Sequence, residues 1–192
     1  MIKIIFQWFL SNLRKVNSIS EYIWAFDLSM DDSGIAIFDR STNPIHICSI
    51  KTNEKQTHGE RLKYIADKVL ELRKQYPTKI IVIERGFSRF NTSTQVIYRV
   101  HGIINMIFHD CKQIYYPPKT IKEAILKGNA TKLQILNVIK NRYPDVKFST
   151  IEVKSKKTKE VQIKENDNES DAFAVGLTYF IKNGIINWEK PI

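Results

Sequence analysis

The feature that most constrains the fold is a continuous apolar run, KIIVIE at Lys79–Glu84, which directly follows an amphipathic helical pattern over Gly59–Tyr76. Such a run is typical of a central strand that is buried on both faces. Because a whole helix precedes it, the chain has room to cross over and return parallel to an earlier strand. We therefore expect a sheet with parallel strands at its centre.

Three strand-like segments precede that helix and are separated only by short polar turns. They are Tyr22–Asp27, Gly34–Phe38 and Ile45–Ile50. Loops this short join antiparallel neighbours, so the three segments predict an antiparallel meander. With Lys79–Glu84 and a short strand at Gln113–Tyr116, the prediction is an α/β fold. Its mixed five-stranded sheet combines the meander with two parallel strands and is flanked by helices.

The rest of the chain is expected to be mainly helical. Further helices are predicted at Thr92–His109, Thr120–Leu126, Thr131–Arg142 and Asp171–Ile181. The stretch Glu152–Glu169 is rich in both charges, which indicates a loop or a ribbon instead.

A length of 192 residues suits a single domain. We assign that domain to residues 21–192 and treat residues 1–20 as an N-terminal extension. Apolar residues recur there at helical spacing, which favours an amphipathic helix packed on the domain or on a second subunit, with membrane-surface binding as the alternative. No apolar run reaches the roughly 18 residues that span a bilayer, so no integral membrane protein is expected.

Charge indicates the class of partner. The chain has 30 Lys and Arg against 20 Asp and Glu, a formal net charge of +10. Such a surplus favours a polyanion, with nucleic acid the leading candidate.

The two cysteines, Cys48 and Cys111, are too few for a disulfide framework or a zinc finger, and they fit a reducing compartment. We expect an intracellular protein of the cytoplasm or nucleoid, and leave phage, bacterial and organellar origins open.

Two acids end two of the predicted strands, Asp27 the first and Glu84 the run KIIVIE. If these strands are parallel neighbours, both carboxylates lie at the same edge of the sheet, where ligands of open α/β sheets bind. Close carboxylates repel each other, and a cation between them stabilises the arrangement. Taken singly, each acid also suits a turn residue or a helix cap.

A third acid, Asp171, begins the last apolar helix. Asn168 and Asp167 lie three and four residues earlier, on the same helical face. Oxygen donors without His or Cys suit Mg²⁺, with Mn²⁺ able to substitute. The alternative for Asp171 is a helix N-cap.

These motifs together resemble one family. Asp27 with Gly34 in FDLSMDDSGIAIFD, Glu84 in IVIERGF, and the terminal NDNESDAFAVGL are similar to the RuvC-type Holliday junction resolvases, which have a ribonuclease H-like fold. The resemblance covers roughly residues 21–182 in the family's order. It implies that a ribonuclease H-like nuclease domain makes paired symmetric nicks in four-way DNA junctions by two-metal hydrolysis.

The resemblance also implies site residues. Asp27, Glu84 and Asp171 are the expected catalytic residues and metal ligands. The family usually has an acid or a histidine three residues before its last aspartate, where this chain has Asn168. Asn168 and Asp167 therefore both stay candidates for the fourth ligand.

Candidate DNA contacts follow from charge and from the resemblance. Between Lys112 and Arg142 there are seven basic residues and one acid. The resemblance places Lys122 and Lys132 in the family's basic stretch and Phe87 at the position of an aromatic residue at the junction core, although core packing also suits Phe87. The other candidate contacts are Lys119, Lys127, Arg85 and Arg89.

The preferred function is a Mg²⁺-dependent, homodimeric Holliday junction resolvase, because a two-fold dimer presents two active sites to a two-fold substrate. The apolar helix Thr92–His109 is the candidate interface. Two alternatives stay open. One is a broader nuclease acting on forks, flaps or RNA–DNA hybrids, and the other is a junction-binding protein without catalytic activity.

Overall fold

The computed structural model describes residues 22–86, 91–154 and 161–190, so the helix expected within residues 1–20 lies outside the described residues. Five strands form one sheet in the order β3-β2-β1-β4-β5. They are β1 (Tyr22–Asp27), β2 (Asp32–Asp39), β3 (Pro44–Lys51), β4 (Thr78–Glu84) and β5 (Lys112–Tyr116).

The pairing confirms the predicted mixed sheet. Strands β1, β2 and β3 are antiparallel neighbours, while β4 runs parallel to both β1 and β5. Phe26 of β1 lies beside Ile83 of β4. The next residues along the two strands, Asp27 and Glu84, therefore end them at the same edge of the sheet.

The described residues contain helices α1 (His58–Gln75), α2 (Asn91–Ile107), α3 (Pro118–Ile125), α4 (Lys132–Arg142) and α5 (Asp167–Lys182). Capping boxes fix where two of them begin, since Thr57 pairs with Glu60 at α1 and Thr131 pairs with Gln134 at α4. Within the described ranges, no helix has the length and apolar character needed to cross a membrane.

The segment predicted as a loop or ribbon is a hairpin followed by a helix. Strands β6 (Thr150–Lys154) and β7 (Val161–Glu165) pair antiparallel. The prediction for Glu152–Glu169 is wrong at its end, because α5 already begins at Asp167. The reason is a cap: the side-chain oxygen of Asn166 accepts a hydrogen bond from the backbone N–H of Asn168 at 3.0 Å.

Apolar side chains cover both faces of the sheet. Strand β1 places the buried Trp24 on the face covered by α1 and α2, and the buried Ala25 on the face covered by α3, α4 and α5. On that second face, the rings of Phe173 and Phe180 of α5 pack 5.1 and 5.2 Å from the ring of Phe38. This packing fixes α5 against β2, opposite the amino end of β1.

Candidate active site

Three predicted catalytic residues line one pocket of about 190 Å³. Asp27 and Glu84 reach it from the ends of β1 and β4, and Asp171 reaches it from the second turn of α5. We call these three residues the pocket acids. The other lining residues are Pro118, Ile121, Lys122, Lys132, Ile135 and Ala174.

A glycine allows α5 to approach the sheet this closely. Gly34 of β2 lies opposite Asp27 in the antiparallel register. A Cβ atom at Gly34 would lie 1.9 Å from the carbonyl oxygen of Asn168, in the first turn of α5. Only glycine therefore lets this turn rest on β2, and the next turn then carries Asp171 to the pocket.

The alternative interpretation of Asp171 as a helix cap is wrong. Asn166 occupies the N-cap, and Asp171 is the fifth residue of α5. Its side chain is only 18% exposed, whereas a cap residue stands at the end of the helix. Asp171 therefore lies inside the helix, and its side chain lines the pocket.

The pocket acids perturb one another's protonation. Burial, followed by the negative charge of Asp171, raises the pKa of Asp27 to about 7. Burial, followed by the charges of Asp27 and Asp171, raises the pKa of Glu84 to about 8. Burial also raises the pKa of Asp171, although Lys132 opposes this shift. The three acids are thus buried together and disfavour one another's charged forms, and a bound cation would stabilise those charged forms.

Lys132 is in direct contact with a pocket acid. It is the first residue of α4, and its ammonium donates a hydrogen bond to the Asp171 carboxylate. Burial lowers the pKa of Lys132, but the charge of Asp171, its hydrogen bond and the charges of Asp27 and Asp167 together outweigh burial, so the net shift is upward. A residue predicted to contact DNA phosphate is thus ion-paired with a predicted metal ligand.

The donor chemistry of the pocket acids fits a hard divalent cation, because the described residues that line the pocket offer carboxylate oxygens and no His or Cys. In the described part of the chain, however, no group of three or more His, Cys, Asp or Glu side chains is arranged to hold a metal ion as it stands. The acids share one pocket without forming a closed coordination shell. The contact between Lys132 and Asp171 gives a physical reason, since an ammonium already binds one of the carboxylates.

The two candidates for the fourth ligand lie beside the pocket and are not among the described residues that line it. The carboxylate of Asp167 accepts a hydrogen bond from Lys164 at 2.7 Å, and its charge contributes to raising the pKa of Asp171. Asn168 has its backbone N–H bonded to Asn166 and its carbonyl against Gly34. The choice between Asp167 and Asn168 stays a prediction.

The predicted DNA contacts are spread around the pocket. Lys122 lines it, while Lys119 is exposed and lies 3.7 Å from Glu123. Lys127 and Arg85 are exposed. Phe87 and Arg89 lie outside the described residues.

Sequence reasoning missed Glu169, which is 4% exposed. Its carboxylate accepts hydrogen bonds from the backbone N–H and the hydroxyl of Ser149, both at 2.7 Å. These bonds connect the start of α5 to the base of the β6–β7 hairpin. The spacing of Asn166 and Glu169 suggests a capping box, but the carboxylate instead binds a residue outside the helix.

Two solved structures share this architecture. Thermus thermophilus RuvC, in complex with Holliday junction substrate, has a TM-score of 0.66 and 17% identity, over 85% of this chain and 95% of that one. The Fowlpox virus resolvase, in complex with substrate Holliday junction DNA, has a TM-score of 0.52 and 17% identity, over 86% and 99%. At this identity the similarity shows a common fold.

Sequence comparison is more specific. RuvC of Alkaliphilus metalliredigens (strain QYMF), a crossover junction endodeoxyribonuclease, is 33% identical over 97 residues, which are 48% of this chain. The match spans 58% of the length of that relative. The family described as "Crossover junction endodeoxyribonuclease RuvC" matches residues 26–179, well over half of the chain. The chain therefore belongs to the RuvC family.

Proposed function

We propose that this protein is a metal-dependent endodeoxyribonuclease that resolves four-way DNA junctions by paired, symmetric nicks. The observation that carries the proposal is the convergence of Asp27, Glu84 and Asp171 in one basic-flanked pocket. Membership of the RuvC family supports the substrate class, and the net charge of +10 supports a DNA partner.

The pocket acids would hold Mg²⁺, or Mn²⁺ in its place, and these ions would supply an activated water and stabilise the departing 3′ oxygen. Asp27 and Glu84 are held by two adjacent central strands, and Asp171 is held by a helix packed on the same sheet. This rigid support positions the three carboxylates before DNA binds. No side chain is needed as a nucleophile. Asp167 and Asn168 are the two candidates for a fourth ligand.

Basic residues beside the pocket would bind the DNA backbone. Lys122 and Lys132 line the pocket, so they suit the phosphates next to the cleaved bond. Contacts of this kind weaken as salt concentration rises. More distant contacts are proposed for Lys119, Lys127, Arg85, Arg89 and Phe87.

A homodimer would supply the two active sites that paired nicks require. Helix α2 is the proposed interface. It buries Val100 and Ile104 in its own domain, yet its outer face exposes Tyr98 (54%) and Met106 (63%). Exposed apolar side chains of this size are typical of interaction surfaces. We further propose that the protein acts inside the cell, where its DNA substrate is found.

Cleavage of a synthetic four-way junction tests the proposal. With Mg²⁺, the intact chain should nick two opposing strands and leave a linear duplex uncut. Asp27→Asn, Glu84→Gln and Asp171→Asn should each abolish nicking while retaining junction binding. Asp67→Asn is a matched control, because it makes the same change on the exposed surface of α1.

Other outcomes identify the alternatives. Equal nicking of forks or of RNA–DNA hybrids would replace the proposal with a broader nuclease. Tight junction binding without metal-dependent cleavage would indicate an inactive binding protein. Loss of binding together with cleavage in all three acid variants would mean that the pocket acids are structural.

A further inference from the structure

We propose that Lys132 and a divalent cation compete for the carboxylate of Asp171, so that metal binding releases Lys132 to a DNA phosphate. This inference rests on the proposed function. It adds that the metal binds before Lys132 binds a DNA phosphate. Lys132 would act as a positioning residue that links the two events.

The first support is the ion pair itself. The ammonium of Lys132 binds a carboxylate oxygen of Asp171 directly. The Asp171 side chain is 18% exposed, whereas the Lys132 side chain is 61% exposed. The lysine therefore reaches the acid from the solvent side of the pocket, which is also the side from which ions and DNA arrive.

The second support is the local backbone. The capping box closes the start of α4, where the Thr131 N–H donates to the Gln134 side chain at 2.9 Å and the Gln134 N–H donates to the Thr131 hydroxyl at 3.2 Å. These bonds hold the backbone around Lys132 in place. An exchange of partners therefore needs only rotation of the long lysine side chain, which is already mostly exposed.

The third support is electrostatic. A lysine in the first turn of a helix lies at the positive end of the helix dipole, so it gains from an acidic partner. The charge of Lys132 also acts on Asp27 and Glu84. A divalent cation among the same carboxylates offers them more charge and repels the ammonium. Both cations cannot use the Asp171 oxygen together, and each lowers the apparent affinity of the other.

Lys122 provides the comparison that separates competition from general repulsion. It lines the same pocket from α3, and within the described residues it takes part in none of the ion pairs. Removing either lysine deletes one positive charge from the pocket. Only removal of Lys132 also frees a carboxylate, so the two variants should affect metal binding unequally.

Mn²⁺ binding to the full chain, measured without DNA by electron paramagnetic resonance of the free ion, tests the inference. Lys132→Met should bind Mn²⁺ about 2- to 5-fold more tightly than wild type, the range for removing one partly exposed ion pair. Lys122→Met should also be measured. Its change in the logarithm of the Mn²⁺ affinity should be less than half of the change that Lys132→Met produces. Equal effects of the two substitutions, or no effect of Lys132→Met, would overturn the competition.

A chemical readout on the unsubstituted protein complements this measurement. Mg²⁺ should raise the rate at which an acylating reagent modifies Lys132, because release from Asp171 frees its amine, and Lys122 should change little. A Lys132 rate that Mg²⁺ does not alter would contradict the release. If Mn²⁺ binds at a site that Asp27→Asn abolishes but Lys132→Met leaves unchanged, only this inference fails. If neither wild type nor Lys132→Met binds Mn²⁺, the proposed metal-dependent function fails as well.

Discussion

Substituting Gly34 by alanine tests how the fold places the pocket acids. The added Cβ atom would lie 1.9 Å from the Asn168 carbonyl oxygen and 2.4 Å from its carbon. Side-chain carbons do not approach other atoms closer than 3.0 Å, so the first turn of α5 must move outward by about 3.0 − 1.9 = 1.1 Å. Neither side can yield easily, because β2 lies between two strands and the clashing atoms belong to the backbone.

The displacement should reach the pocket because Asp171 lies on the same helix, one turn beyond Asn168. A misplacement of about 1 Å in a catalytic group can reduce the rate about 100-fold. Overpacking of this kind also lowers the free energy of unfolding by about 1–3 kcal/mol. We therefore expect Gly34→Ala to fold with reduced stability and to nick four-way junctions about 100 times more slowly.

The assay is single-turnover cleavage of a labelled junction, combined with urea unfolding to confirm that the variant is folded. Gly59→Ala is the matched control, because a Cβ atom at this exposed position of α1 meets nothing within 4 Å. It should retain wild-type cleavage. Wild-type cleavage by a folded Gly34→Ala variant would refute the role assigned to this close contact.

Three further predictions concern stability and DNA binding. The raised pKa of Asp27, about 7, means that the folded chain holds a proton that the unfolded chain releases above about pH 4. Without divalent ions, the free energy of unfolding should therefore fall as the pH rises from about 4 to 8. Asp27→Asn should flatten this slope in urea unfolding. An unchanged slope would contradict the raised pKa of Asp27. Glu169→Gln should lower the free energy of unfolding by about 1–3 kcal/mol, because it weakens the charge-assisted bonds from Ser149; wild-type stability in the same assay would show that these bonds contribute little. Lys122→Ala should weaken junction binding and reduce the slope of log affinity against log salt by about one, whereas Lys63→Ala on α1 should leave the slope unchanged; equal slopes for both variants would place the DNA elsewhere.

The sheet and the meeting of Asp27 and Glu84 were predictable because both follow from short-range patterns. Short turns specify antiparallel neighbours, and a helix before an apolar run permits a parallel return. These two rules bring residues 27 and 84 to one edge without any knowledge of side-chain packing.

Other features depend on contacts between distant residues, which no local pattern indicates. Lys132 and Asp171 are 39 residues apart, and their pairing depends on how α4 and α5 pack. The carboxylate of Glu169 binds Ser149, 20 residues away, although its spacing from Asn166 suggests a local cap. The start of α5 differs from the prediction for a related reason, since the polar residues 167–169 obscure a helix that begins with a capped turn.

The central claim is that Asp27, Glu84 and Asp171 together bind divalent ions. Anomalous diffraction from crystals of the full chain soaked in Mn²⁺ tests it most directly. We predict a manganese peak bonded to carboxylate oxygens of all three residues, and loss of that peak in Asp27→Asn crystals. Manganese bound only elsewhere on the chain, with no ion between the three carboxylates, would contradict the claim.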